Sequence, residues 1–209
     1  MPDAPAQQTQ IPLVLASGSP RRRELLSEAG VVWEAMPADI DESVLPGESP
    51  RDMALRLAEQ KARVVAGRIS RGTRRHVLGA DTTVVLDGEI IGKPADPEDA
   101  LSLLRRLTGR THTVVTAVAI VDTDHPAPFT FALESRVSMR EASERELRDY
   151  VATGEPLDKA GAYAIQGQGA WLVTHFEGSR TNIIGLPVEE TLEMLERAGY
   201  PLPSAAPES

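Results

Sequence analysis

Apolar residues recur in short runs along this chain, and most runs end at a helix cap or a turn. Leu13-Val14-Leu15 is a continuous apolar triplet, the pattern of a buried strand. Ser17-Gly18-Ser19 then makes a small turn, Ser19 suits an N-cap, Pro20 suits the first helical position, and Gly30 ends the helix. Val31 to Met36 reads as a second strand. Ser49 opens a long helix in which Leu57, Lys61 and Val64/Val65 fall at helical spacing, and Asp52 is placed for a capping box. Val77 to Ala80 is a short strand ending at Asp81. Val84–Leu86 and Glu89–Ile91 flank Asp87-Gly88, a strong two-residue hairpin signal.

Asp96-Pro97 caps a further helix that stops at Gly109. Thr111–Asp122 and Phe129–Met139 are long β-branched runs joined by a polar, proline-containing loop, which predicts an antiparallel pair. Ser143-Glu-Arg-Glu146 is a capping box for a helix ending near Gly154. A glycine-rich stretch follows to Gly169. Trp171–Phe176 reads as a strand, and Pro187 to Gly199 as the last helix. Strand–helix alternation mixed with hairpins predicts an α/β fold with a mixed sheet. It forms one domain over residues 11–200, between disordered tails at 1–10 and 201–209.

Composition narrows the classes. A chain of 209 residues is long enough for a substantial core. The formal net charge of −9 argues against general nucleic-acid or anionic-membrane binding, but not against a small anion in a locally basic pocket. With no cysteine, disulfides, thiolate catalysis and Cys-ligated zinc are excluded. No apolar run is long enough to span a bilayer and the N-terminus lacks signal-peptide features, so a cytoplasmic location is the expectation. The four histidines lack metal-ligand spacing and read as surface residues. No Gly-x-Ser-x-Gly elbow is present.

Arg21, Arg22 and Arg23 crowd the first helical turn, where the macrodipole disfavours cations. A solvated basic helix start is one reading. The other is a polyphosphate at the helix N-terminus, since guanidinium forks fit phosphate well. The loop is not a Walker A, for it lacks the Gly-Lys-Ser/Thr ending.

Three further patches have the composition of site loops, and each also has a plain structural reading. Asp39-Ile40-Asp41-Glu42 is a carboxylate cluster, or simply solvated acid before a helix. Gly79-Ala80-Asp81-Thr82-Thr83 places a carboxylate at a strand end, where α/β sheets bind ligands, although Asp also terminates strands. Asp158 to Gly167 is glycine-rich, which permits close backbone approach or merely turns. Together they offer arginines for phosphate, carboxylates for a hard divalent cation and an amide able to read a base. Lys61 and Lys93 add point charges. Arg21 and Lys61 are expected on exposed or cleft-facing surfaces.

The ordered set Leu-Ala-Ser-Gly-Ser-Pro-Arg-Arg, Gly-Ala-Asp-Thr, Gly-Lys-Pro, Leu-Asp-Lys-Ala-Gly-Ala-Tyr and Ile-Gln-Gly closely resembles the Maf family of nucleotide pyrophosphatases. The resemblance covers about Leu13 to Gly199. It implies a Maf/inosine-triphosphatase-like fold, an elongated mixed sheet with flanking helices and a cleft between two lobes. It further implies metal-dependent cleavage of a nucleoside triphosphate to the monophosphate and pyrophosphate, and a homodimer. The family's functional positions fall on Ser17, Ser19, Arg21, Arg22, Glu42, Lys61, Asp81, Lys93 and Gln166, with Asp81 matching the catalytic base.

Arg21, Thr82 and Gln166 match a branch acting on dTTP and UTP. A 7-methylguanosine branch carries Trp, Gln and Glu at those places. On this resemblance Arg21, Arg22, Lys61 and Lys93 hold phosphates, assisted by Ser17 and Ser19. Glu42 and Asp81 place Mg²⁺ or Mn²⁺, and Arg21, Thr82 and Gln166 set the choice of base. The Ser179–Asn182 loop departs from the family pattern. The alternatives are a non-enzymatic regulator of septum formation, or the same chemistry on 7-methyl-GTP.

Overall fold

The computed structural model describes residues 11–70 and 72–202. The expected tails at 1–10 and beyond Leu202 lie outside the described residues. Pro201 and Leu202 lie inside them, and Leu202 packs against the core.

In chain order the elements are β1 (Leu13–Leu15), α1 (Pro20–Glu28), β2 (Trp33–Ala35), α2 (Pro50–Ala66), β3 (His76–Leu86), β4 (Glu89–Ile91), α3 (Pro97–Leu107), β5 (Thr111–Asp122) and β6 (His125–Met139). There follow α4 (Glu144–Ala152), three 3₁₀ turns between Glu155 and Leu172, β7 (Val173–Glu177), α5 (Arg180–Ile184) and α6 (Val188–Arg197). The strands form one seven-stranded mixed sheet in the order β2-β1-β3-β5-β6-β7, with β4 also pairing β3. The β2–β1 and β1–β3 ladders are parallel, and the others are antiparallel.

β3 organises the molecule. Along one edge it pairs continuously with β5, from His76↔Asp122 to Val85↔Thr113. Its other edge is shared: β1 covers Val77–Leu78, and β4 covers Val84–Leu86. Residues 79–83 have no strand partner on that edge, so a notch opens with Asp81 at its centre. The expected strand end at Asp81 is therefore corrected. Thr82 and Thr83 continue the strand as good β-formers, and what ends near Asp81 is the ladder to β1.

Successive side chains of β3 face opposite sides. Val77 and Val85 join the core under α2, built from Ala54, Ala58, Ala62 and Val65 against Val115, Ala117 and Ala119. Gly79 lies on that face too, and a Cβ there would meet Ala58 O at 2.1 Å and Ala62 N at 2.8 Å. The missing side chain is what lets α2 lie directly on the strand.

The opposite face carries two clusters. Leu78 and Ala80 pack with Leu25 and Leu26 of α1 and Met194 and Leu195 of α6. Val84 and Leu86 pack with Leu101 and Leu104 of α3 and Leu147 of α4. Full burial of each such leucine contributes about 1.5–3 kcal/mol. Between these clusters runs a polar seam: Thr82 Oγ1 lies 3.0 Å from Thr116 Oγ1, which donates to Asn182 O at 2.9 Å. Ile165 packs against both clusters.

Several element boundaries differ from the sequence reading. β6 begins at His125, because Thr123-Asp124 alone make the turn; a bulge between Ile120 and Asp122 accommodates Pro128, which has no ladder donor. Trp171 and Leu172 belong to a 3₁₀ turn rather than to β7. The loop read at Ser179–Asn182 opens the short helix α5, whose N-cap Ser179 accepts from Asn182 N. Five residues are too few to show a period. Ser19 sits at the N-cap of α1, but its side chain makes no capping bond; Ser17 Oγ accepts from Ser19 N instead, at 3.2 Å.

Candidate active site

The β3 notch opens into a cleft of about 570 Å³. Ser17, Ser19, Arg21, Arg22, Glu42, Lys61, Asp81, Thr82, Lys93 and Gln166, from segments spread over the chain, all line it. Asp39 and Asp41, of the acidic patch, do not; Asp41 instead accepts from Ser43 N at 2.9 Å. His125 and His175 also lie away from the cleft, but His76 and His112 are buried rather than on the surface.

Lys61 faces the cleft, as expected, from a buried position on α2, where it is 8% exposed. Because Gly79 lets α2 approach, Lys61 Nζ reaches Asp81 Oδ1 at 2.7 Å, and it also reaches Glu42 Oε1 at 2.6 Å. Thr83, two residues from Asp81 and on the same face, aims Oγ1 at Asp81 Oδ2 at 3.4 Å. Glu42 is held below the ordinary glutamate range. Burial pushes it up, but the Lys61 hydrogen bond and charge, with Lys93 and Arg22 behind them, pull it further down.

Arg22 also lines the cleft and is buried, with three guanidinium hydrogen bonds inside the protein. Nε donates to Gly185 O at 2.8 Å, Nη1 to Ser17 Oγ at 2.9 Å and Nη2 to Thr82 Oγ1 at 3.1 Å. Of five guanidinium donors, two remain. Burial and the neighbouring Arg21 lower its pKa, against the raising effect of Asp81 and Glu42. Arg22 thus straps α1, β3 and the end of α5 together, while Arg21 lines the cleft. Arg23 does not line it.

The far wall is the glycine-rich stretch. Asp158, Lys159, Tyr163, Ala164, Ile165 and Gln166 face the cleft. Asp158 is drawn below the ordinary range: burial raises it, but the Lys159 ammonium and then Arg21 outweigh that. Gln166 is exposed. The sequence placed Thr83 and Tyr163 inside its motifs without giving either a role, and it did not point to Ile183–Gly185 as part of the cleft. Thr83 was findable from strand alternation, whereas the α5 residues reach the cleft only through tertiary packing.

The donor set fits a hard divalent cation. Glu42 and Asp81 already converge on one positive centre, Lys61 Nζ, and both are oxygen donors. Among the described residues no cluster of three or more His, Cys, Asp or Glu accompanies them. Mg²⁺ commonly takes one or two carboxylates and completes its shell with substrate phosphates and water.

On a mixed α/β fold, basic side chains and carboxylates gather around one cleft, a chemistry that suits an anionic, phosphate-bearing ligand. The Maf-like protein family matches residues 12–198, and this chain belongs to that family. It is 50% identical to a dTTP/UTP pyrophosphatase of Anaeromyxobacter dehalogenans over 93% of this chain and 98% of that one. It is 51% identical to a dTTP/UTP pyrophosphatase of Myxococcus xanthus over 91% of this chain and 94% of that one. A solved nucleoside-triphosphatase, a dITP/XTP pyrophosphatase from Mycobacterium abscessus, overlays with a TM-score of 0.41 at 16% identity, covering 90% and 95% of the two chains.

Proposed function

We propose that this chain hydrolyses dTTP and UTP to the monophosphate and pyrophosphate. The observation that carries the reading is the convergence on one cleft of a Lys61-bridged carboxylate pair, the guanidinium of Arg21 and an exposed amide, Gln166. The relatives' activity and near-complete coverage support the same reaction.

In this reading Arg21 and Lys93 hold the phosphates. Lys61 uses two of its three ammonium donors on Glu42 and Asp81 and turns the third to the substrate. Asp81 accepts a proton from water as the water oxygen bonds to the α-phosphorus. The bond from that phosphorus to the bridging oxygen breaks, and pyrophosphate leaves with the electron pair. Glu42 and Asp81 would hold Mg²⁺ or Mn²⁺, which when bound neutralises charge on the phosphates. Ser17 and Arg22 support the phosphate loop from behind, and Ser19 lies at its mouth.

Gln166 reads the base. Its amide presents both an acceptor and donors, matching the N3–H and flanking carbonyls of uracil and thymine. Cytosine offers a bare N3 and an exocyclic amine, so groups would be left unpaired.

A panel of dTTP, UTP, CTP and 7-methyl-GTP with Mg²⁺ and with Mn²⁺, following pyrophosphate and orthophosphate separately, tests the proposal. dTTP and UTP are expected to lead, with pyrophosphate as the direct product. Orthophosphate as the direct product would reject attack at the α-phosphorus. Inactivity throughout would favour a regulatory protein.

A further inference from the structure

Behind the far wall of the cleft, and outside its lining, sits Glu155, whose carboxylate accepts three hydrogen bonds and whose backbone oxygen accepts a fourth. Glu155 Oε1 accepts from the Tyr150 hydroxyl at 2.9 Å and from Gly169 N at 2.9 Å. Its Oε2 accepts from Gln168 N at 2.8 Å, and its backbone oxygen accepts from Lys159 Nζ. One residue therefore ties together two segments of the wall, one bearing Asp158–Lys159 and the other bearing Gln166.

The fit is close. Gly167, next to Gln166, has φ +78°, and a Cβ there would meet Glu155 Oε2 at 2.7 Å. Burial pushes the Glu155 carboxyl up, but the two amide bonds, the tyrosine and the Lys159 charge outweigh it and hold it below the ordinary glutamate range. Tyr150 is fixed in turn: it is buried in α4, and its ring packs edge-on against Trp171.

Capping of a 3₁₀ turn explains two of these bonds. It does not explain why the cap is delivered from the segment that carries Lys159, or why the exposed residue just ahead of the capped turn is the amide facing the cleft. We infer that Glu155, backed by Tyr150, is a positioning residue for base recognition. It fixes the 166–169 turn so that the Gln166 amide is presented in one orientation. This rests on the reading of Gln166 as the base reader.

The chemistry supplies a selective perturbation. Glu155→Gln keeps the shape but turns one acceptor into an NH₂ donor, which must face either an amide N–H or the pair formed by Tyr150 OH and Gly169 N–H. Tyr150→Phe removes one bond and leaves both amide bonds intact. A loosened turn loses discrimination between bases and keeps the phosphate chemistry. The ratio of kcat/KM for UTP to that for CTP should fall about tenfold in Glu155→Gln, on the order of one oriented hydrogen bond, and by a smaller factor in Tyr150→Phe. The loss should enter through KM for UTP, with kcat at saturation little changed.

The experiment measures kcat and KM for UTP and CTP in the wild type, Glu155→Gln, Tyr150→Phe and Gln166→Ala, with thermal unfolding of each. Compression of the ratio in the order Gln166→Ala, Glu155→Gln, Tyr150→Phe supports the inference. A collapse in Gln166→Ala with an unchanged ratio in Glu155→Gln overturns the inference and leaves the base reading standing. An unchanged ratio in Gln166→Ala overturns both. A proportional loss on both substrates with lowered Tm shows a purely structural residue and overturns the inference. Should Glu155→Gln fail to fold, Tyr150→Phe decides, and an unchanged ratio there overturns it.

Discussion

Lys61 and Asp81, twenty positions apart in the chain, are joined at 2.7 Å in a buried ion pair that also draws in Glu42. The pair gives the site a carboxylate that is oriented before any substrate arrives. Asp81→Asn keeps the shape, removes the proton acceptor and leaves Glu42 as the carboxylate partner of Lys61. A positioned base contributes about 10²–10⁴-fold in rate, so kcat should fall by that order while nucleotide binding persists. Pyrophosphate release and equilibrium dialysis of UTP check both halves. Near-normal kcat in folded protein would remove Asp81 from the chemistry.

Arg21 and Arg22 are adjacent and should behave oppositely. Arg22→Ala strands Gly185 O, Ser17 and Thr82, and should lower stability by about 1–3 kcal/mol, the cost of leaving buried groups unsatisfied. Arg21→Ala should leave Tm nearly unchanged and lower kcat/KM. Urea unfolding and UTP kinetics on both variants test the contrast. Equal Tm losses would refute it.

Gly79→Ala adds one methyl group where backbone atoms of α2 already stand 2.1 and 2.8 Å from the Cβ position. The helix must move, and overpacking of this kind costs about 1–3 kcal/mol or more. Activity should fall as well, since the displaced helix carries Lys61. A folded Gly79→Ala enzyme with wild-type kinetics would show that α2 can shift without moving the ammonium.

His112 supplies a pH test. Burial holds its pKa down at about 4, against 6.5 for the unfolded side chain. Between these values the unfolded chain binds the extra proton, so stability is lost as pH falls from 6.5 to about 4, by about 3 kcal/mol in all. His112→Gln cannot titrate and keeps a hydrogen-bonding group near Tyr163, whose hydroxyl lies 2.7 Å from His112 Nε2. Urea unfolding at pH 7, 5.5 and 4 should show the wild type declining more steeply than the variant. Parallel curves would contradict the assignment.

Much of this architecture was legible because caps and turns are local. The Ser143–Glu146 capping box, the Asp87-Gly88 hairpin and the strand before Pro20 occur where the residues indicate. The gathering of Ser17, Arg21, Glu42, Lys61, Asp81, Lys93 and Gln166 around one cleft matches the ordered motifs. Partnership was not legible. Nothing in Arg21-Arg22-Arg23 distinguishes a strap from a free guanidinium, because the difference lies in Gly185, 163 positions away. Lys61 sits on a helix with ordinary spacing, and its burial depends on a glycine in another element. Length misled at both extremes: α5 is too short to show a period, and β3 too long to be recognised through its central carboxylate.

The alternation along β3 has a consequence for how such a protein can change. Asp81 turns to Lys61 and Thr83, while its neighbour Thr82 turns to Arg22 and Thr116, and the two sets of hydrogen-bond partners share no residue. The charge of Asp81 still acts across the strand, raising the pKa of Arg22. Substitutions can therefore accumulate around Thr82, altering its contacts to Arg22, Thr116 and Gly185, while every hydrogen bond to the acid remains in place. If Asp81 is the base and Thr82 bears on substrate choice, as proposed, two adjacent residues on one strand let selection act on the reaction and on its substrate separately.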